Sequence, residues 1–371
     1  MKLLDTLSDL VRIKSVNPAY EEGSSEAQLV AYVERFCRER GIETRLHEVF
    51  PGRSNLVARL PGRAAGRRLV FEAHADTVST KGMSIPPFEP TISEGRLYGR
   101  GACDTKGGMA ALLHAAAALA KDRSNSSEIW IVIAVDEEHQ FRGALKAVEG
   151  LRAAGAVVLE PTEMRVVIAT KGCLRWRIRT QGKAAHSSRP ELGRNAIADM
   201  ARVILALEED AARLKRSVDP WVGSPTLSIG VIEGGVQVNM VPESCSILVD
   251  RRLIPGEDIP GVTAHYARLM ESTGLPVTMD PPSLADPPLG TPPDSAVGAA
   301  ASNALRKLHL NPEPKGVPYG SDASKFSRAG IPSVIVGPGS IDQAHTAAEY
   351  VPCEQVEQAF EFYRTMMRDF E

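Results

Sequence analysis

A chain of 371 residues, 43% hydrophobic and 24% charged, has the composition of a folded globular protein and exceeds one ordinary core, so two domains are expected. A formal net charge of −3 gives no positive footprint for nucleic acid or an anionic membrane surface and leaves open a small uncharged or zwitterionic partner. Five scattered cysteines, Cys37, Cys103, Cys173, Cys245 and Cys353, never spaced C-x-x-C, argue against a disulfide framework or a thiolate zinc site and fit free thiols in a reducing cytoplasm.

The N-terminal MKLLDTLSDLVRI has apolar residues at 3, 4, 7, 10 and 11 with acids between them, the pattern of a surface helix and not of a signal peptide or membrane span. A second amphipathic helix is expected over 25–40, after a Gly-Ser-Ser turn able to cap it, and strands over 44–49 and 54–60. Residues 68–73, 129–135, 156–159 and 333–336 are short Val- and Ile-rich runs, as in strands buried on both faces of a sheet. An Ala-rich helix over 108–121 lies between the first two. Strands alternating with helices imply an α/β fold, a mostly parallel sheet flanked by helices, whose sites form beyond the carboxyl ends of the strands. Candidate ligands follow each run there: His74, then Glu137 and Glu138, then Glu160, and His345 after a GPGS turn.

From residue 172 the pattern changes. Leu174, Trp176 and Ile178 alternate with Arg175, Arg177 and Arg179, a strand with one wet face. A helix over 194–215, strands at 226–232 and 244–253, a helix over 257–272 and a strand at 275–279 complete the order β-α-β-β-α-β of a ferredoxin-like unit. The proline-rich stretch 280–294 reads as a semi-rigid linker. The expected division is therefore 1–171 with 286–371, and 172–285 inserted between them.

His74 and Asp76 stand two apart at a strand end, on the same side, as when a metal-binding imidazole is oriented by a carboxylate. Asp104 sits in a turn rich in glycine, with Gly99, Gly101, Gly107 and Gly108 around it, where backbone can approach closely. Oxygen and imidazole donors without thiolate suit zinc, cobalt or manganese, zinc by default. One carboxylate shared by two ions, with one His and one further carboxylate for each, accounts for five of the candidates, and Asp104 is the natural bridge. Glu137 and Glu138 diverge, so one can bind metal while the other faces substrate.

The segments HADTV, GRGACDTKGG, VDEEHQFRGA, LEPT, GKAAHSSRPELGRNAI, VDRRLIPGE and GPGSIDQAHTAAEYV, in this order, resemble the dinuclear metallohydrolase family of acetylornithine deacetylase, succinyl-diaminopimelate desuccinylase, aminoacylase and glutamate carboxypeptidase. The resemblance covers nearly the whole chain and leans toward the acetylornithine deacetylase branch. It implies that His74, Asp104 and Glu160 hold one ion and Asp104, Glu138 and His345 the other. Asp76 would support His74, and Glu137 would be the general base for a water held between the ions. It implies that His186 polarises the substrate carbonyl from the partner subunit of a homodimer, with the inserted unit as lid and dimerisation domain. Asn239, Arg252, Gly320 and Ser321 match substrate-contact positions, Arg252 being suited to a bidentate carboxylate contact. The implied activity is removal of an acyl group, acetyl by preference, from an N-acyl amino acid such as N-acetylornithine, in the cytoplasm, with two zinc or cobalt ions per chain. A carboxypeptidase, dipeptidase or desuccinylase activity on the same site is the alternative.

Overall fold

The four Val- and Ile-rich runs fold as the strands Glu128–Ala134, Arg68–His74, Gly155–Val158 and Ser333–Ile335, adjacent in that order and parallel throughout. Buried on both faces, they show no alternation of polar and apolar residues, and Glu72 inside one of them is itself buried. Antiparallel strands flank this centre: Arg53–Leu60 and then Glu43–Phe50 on one side, Val167–Thr170 on the other. The outer strand Glu43–Phe50 exposes Glu43, His47 and Glu48, charged and polar cover for an open edge. The sheet is thus parallel at its centre and mixed at its margins.

The computed structural model describes residues 2–63 and 67–371, which divide into two units, Met1–Ile168 with Thr291–Lys315 and Ser321–Glu371, and Ala169–Gly290 with Gly316–Gly320. The expected borders at 171/172 and 285/286 thus fall at 168/169 and 290/291, and 316–320 groups with the second unit. In the first unit the Ala-rich helix Gly107–Asp122 buries Met109, Leu112, Leu113, Ala116 and Leu119 and packs against the C-terminal helix Cys353–Asp369. Its small residues permit that approach; a Cβ on Gly108 would stand 3.3 Å from Leu159 and 3.4 Å from the Tyr363 hydroxyl.

The second unit is an antiparallel sheet in the order Thr226–Gly234, Ser244–Leu253, Gly172–Gln181, Val277–Met279, with helices Ala196–Leu214 and Ile259–Ser272. That is the ferredoxin-like arrangement expected from the element order. Leu174, Trp176, Ile178, Ile247 and Val249 bury one face against Met200, Val203, Leu207 and Tyr266. The arginines of the wet face pair with acids on neighbouring strands and loops: Arg175 with Asp250, Arg177 with Glu233, Arg179 with Asp280.

Two local expectations change. The proline-rich stretch is not a free linker: Leu284–Asp286 pairs with Gly172–Gln181, and Leu289–Gly290 with Val167–Thr170. The prolines fall outside both short strands, Pro281 and Pro282 before the first and Pro287 and Pro288 between the two, so none of them removes a ladder hydrogen bond. The second helix runs Ala27–Arg38 with Glu26 at its N-cap position; Ser25 Oγ accepts from the Ala27 N–H at 3.2 Å, while the Glu26 carboxylate turns to Arg53.

Candidate metal centre

Five side chains from five separate elements converge at the carboxyl ends of the parallel strands. His74 ends its strand, Glu138 follows Glu128–Ala134, Glu160 follows Gly155–Val158, Asp104 lies in the turn before Gly107–Asp122, and His345 lies in the loop before Tyr350–Pro352. They form two groups, His74 with Asp104 and Glu160, and Asp104 with Glu138 and His345, the potential ligand atoms of each within 4.8 Å of one another. Asp104 belongs to both. Its Oδ1 lies 2.8 Å from His74 Nε2 and its Oδ2 3.2 Å from His345 Nε2. Glu160 Oε2 is 3.9 Å from His74 Nε2, and Glu138 Oε1 is 3.1 Å from His345 Nε2. His345 holds a left-handed backbone, φ 61°, uncommon for a residue with a side chain and concentrated at functional sites.

The geometry of His74 tests whether these residues fit a cation. Its Nδ1 lies 2.9 Å from the Asp76 backbone carbonyl, which can only accept, so Nδ1 carries a proton. A neutral ring then presents a lone pair from Nε2 to the carboxylate oxygens of Asp104 and Glu160. A positive charge at that point, a second ring proton or a metal ion, reconciles the three. Without an ion the acids report the same surplus. Burial and then Asp104 push the Glu160 carboxyl well above the usual range, and burial followed by Asp322, Glu138 and Asp104 does the same to Glu137 against the pull of His74. Burial also pulls on Asp104 and His345, but their mutual contacts and those to His74 and Glu138 prevail, holding Asp104 below its usual range and lifting His345 to about 11. Divalent cations bound by oxygen and imidazole answer both imbalances.

Asp76 acts differently from the orienting carboxylate expected of it. It lies beyond the strand end, so its backbone carbonyl meets the ring of His74, and its Oδ1 is 3.8 Å from Nδ1. The carboxylate instead accepts the backbone N–H groups of Glu137 (3.1 Å) and Glu138 (3.1 Å), with Asn17 Nδ2 at 2.7 Å. Burial lifts Asp76 to about 7, with Glu138 and Glu26 adding to the effect and His74 and Asn17 opposing it. Asn17 also reaches Asp136 at 3.1 Å, and Arg53 joins Asp136 to the buried Glu26. Asp136 has φ 70°, and this left-handed turn directs the adjacent acids. The chain Glu26, Arg53, Asp136, Asn17, Asp76 thus fixes the peptide that carries Glu137 and Glu138.

In the second unit, Ala185–His186 pairs with Met240–Val241, His186 opposite Met240, and the Ser187 N–H donates to the Asn239 carbonyl at 3.1 Å. The Ser188 N–H donates to His186 Nδ1 at 3.1 Å. In the neutral ring the proton therefore sits on Nε2, which is left as a donor. The two adjacent arginines separate: Arg251 is 2% exposed and bound to Tyr266 and Glu257, whereas Arg252 is half-buried and held by Asp250 at 2.8 Å. Gly320 groups with the second unit, and a Cβ there would fall 2.1 Å from Asp286 Oδ2, so that carboxylate would have to shift to admit a side chain. Ser321 groups with the first, fully buried, its Oγ accepting the Ala323 N–H at 3.3 Å at the start of the helix Ala323–Arg328.

Sequence reasoning passed over Asn17, Glu26, Arg53, Asp136, Glu72, Asp322 and Glu349, all buried or nearly so around these clusters. Glu72 interacts with Asp322, its carboxyl raised by burial and then by Asp322. The one available signal was an acid inside an apolar strand, Glu72 in LVFEA. No helix among the described residues is long and apolar enough to cross a membrane.

The chain is 33% identical over 332 residues to an acetylornithine deacetylase of Myxococcus xanthus, covering 87% of this chain and 83% of that protein. Its fold matches the aminopeptidase PepT of Bacillus cereus with a TM-score of 0.81 at 24% identity, over 99% of this chain and 97% of the other. It also matches a Bacillus subtilis protein described as a dinuclear metal binding peptidase, TM-score 0.75 at 18% identity, over 99% and 96% of the two chains. The sequence profile of peptidase family M20/M25/M40 spans residues 70–369, from the strand before His74 to the last helix. This chain belongs to peptidase family M20/M25/M40.

Proposed function

We propose that this member is a metal-dependent amide hydrolase that removes an acyl group, acetyl by first preference, from an N-acyl amino acid such as N-acetylornithine. The observation that carries the reading is the meeting of two three-residue clusters on Asp104, with Glu137 beside them. The relative named acetylornithine deacetylase supports the substrate class. His74, Asp104 and Glu160 would hold one ion, and Asp104, Glu138 and His345 the other, zinc by donor type and cobalt second. Such ions, when bound, polarise the substrate carbonyl and acidify water.

The protein's own groups move the protons. Glu137 takes a proton from the attacking water as the water's oxygen bonds to the acyl carbon. It returns that proton to the amide nitrogen as the C–N bond breaks, while the water's second proton leaves with the new acid, so the products are a carboxylate and the protonated amine. Asp76 keeps Glu137 in place through its backbone N–H. In this reading His186 donates from Nε2 to the carbonyl oxygen from a partner copy in a homodimer, and Asn239, Arg252, Gly320 and Ser321 bind the remainder of the substrate. The edge strand Thr226–Gly234 and the turn after it expose Ile232, Val236 and Val238, the apolar surface expected of a self-association edge in a lid and dimerisation domain. The cytoplasm suits the free thiols.

Elemental analysis with an amine-release assay over N-acetyl amino acids and small peptides, with and without chelator, tests the reading. About two ions per chain and chelator-sensitive release favouring N-acetylornithine are expected. Cleavage of peptides alone would keep the site and change the substrate class, and a protein that binds no ion would end the hydrolase reading. His186→Ala is expected to lower turnover with metal content unchanged. Mixed with an inactive Glu137→Ala chain under subunit exchange, it should regain part of the activity, and exchange without recovery removes the shared role.

A further inference from the structure

Glu349 is fully buried and takes no part in the chemistry described so far, yet both its oxygens are fully engaged. Oε2 accepts from Arg100 Nη1 at 2.7 Å and the Gly101 N–H at 3.0 Å; Oε1 accepts from the N–H groups of Cys103 at 3.0 Å and Asp104 at 3.1 Å. Three backbone N–H groups of one turn converging on one carboxylate make an anion-binding nest, here filled from within the chain. The donors lie on the turn that carries Asp104. The acceptor lies on the arm that carries His345, four residues earlier in the chain.

The arm is also tied to the rest of the unit on either side of that carboxylate. The Gly99 N–H donates to the Glu349 carbonyl at 3.0 Å, the Ser84 N–H to the Ala347 carbonyl at 2.8 Å, and Tyr350–Pro352 pairs with Arg96–Tyr98. A Cβ on Gly339, at the start of the arm, would meet Cys103 Sγ at 2.4 Å. Those contacts hold the arm near the turn, but among the described residues only the Glu349 carboxylate accepts from the peptide N–H of Asp104 itself. His74, Glu160 and Glu138 reach the clusters from the sheet and its loops without passing through this contact.

We propose that Glu349 is a positioning residue that locks Asp104 and His345 into one frame, so that it sets the affinity of the ion held by Asp104, Glu138 and His345 more than that of the ion held by His74, Asp104 and Glu160. This rests on the metallohydrolase reading. Glu349→Gln preserves size but turns an NH₂ group toward donors on one side, so it opposes the nest without emptying it. Glu349→Ala empties it and leaves room for a small carboxylate.

The test is titration of chelator-treated protein with Co²⁺, followed by its visible absorption and by competitive dialysis, with the melting midpoint of the metal-free chain measured alongside. Partners of this outer kind typically change metal affinity by about 10–100-fold when removed. Glu349→Gln is expected to weaken one of two binding phases by that factor and the other by only about threefold or less, and millimolar formate should restore the weak phase of Glu349→Ala. Unchanged isotherms overturn the proposal, as do two phases weakened equally with a lowered midpoint and no effect of formate, the signature of general fold support. If the unaltered protein shows no binding phase, the metal reading fails on its own control, whatever Glu349 does.

Discussion

Glu137→Gln is expected to lower kcat by about 10²–10⁴-fold, the usual contribution of a positioned general base, while about two ions per chain remain bound. Glu137 belongs to neither three-residue cluster, so its replacement leaves all five proposed ligands in place. Its backbone N–H is held by Asp76 Oδ1, a contact that does not involve the substituted atoms, so the peptide keeps its path. What the amide lacks is the ability to take a proton from water and give it to the departing nitrogen. Steady-state kinetics with elemental analysis on the same sample decides the point. A rate near that of the unaltered protein would remove Glu137 as the base, and loss of an ion would make it a ligand.

Asp104→Ala should be the most damaging single change to metal binding, weakening both ions, because Asp104 alone is common to the two clusters. Outer partners of a metal site cost about 10–100-fold, so removing the shared ligand is expected to exceed about 100-fold at each site. Glu160→Ala and Glu138→Ala supply the comparison, since each should impair chiefly one ion. Competitive dialysis against a chelator of known affinity measures all three. One ion retained at full affinity in Asp104→Ala would show that the clusters do not share it.

Much of the frame was legible because its signals are local. Continuous Val and Ile runs mark the parallel strands, strict alternation after Gly172 marks a sheet with one wet face, and the polar residues at the strand ends mark the rim where ligands gather. The five proposed ligands come from five distant segments, and it took the ordered motifs to connect them. Contacts that depend on tertiary approach had no such sign. Asn17 and Asp76 are far apart in the chain and meet only because the loop after the first helix runs against the strand ends. Strand periodicity put Asp76 on the same side as His74, but the strand stops at His74, so the carbonyl and not the carboxylate faces the ring. For Arg251 and Arg252, alternation says that they face opposite ways but not which is buried; Tyr266 and Glu257 decide it. The prolines of 280–294 suggested a spacer because composition cannot reveal that a neighbouring strand offers an edge.

The interruption of the first unit by the second has a consequence for the order in which the protein is made. A chain emerging from the ribosome has displayed His74, Asp104, Glu137, Glu138 and Glu160 before the second unit exists, whereas His345 and the strand Ser333–Ile335 follow only after it is complete. For the whole of that interval the growing polypeptide carries the acids of the proposed centre without the imidazole that closes it and with only one of the two parallel strands that border Gly155–Val158. The donors of His74, Asp104 and Glu160 are all synthesised first, so one half of the proposed centre has its full donor set well ahead of the other. The later half matures only as the last stretch of the polypeptide arrives, and synthesis itself imposes a sequence on two positions that look equivalent in the finished fold.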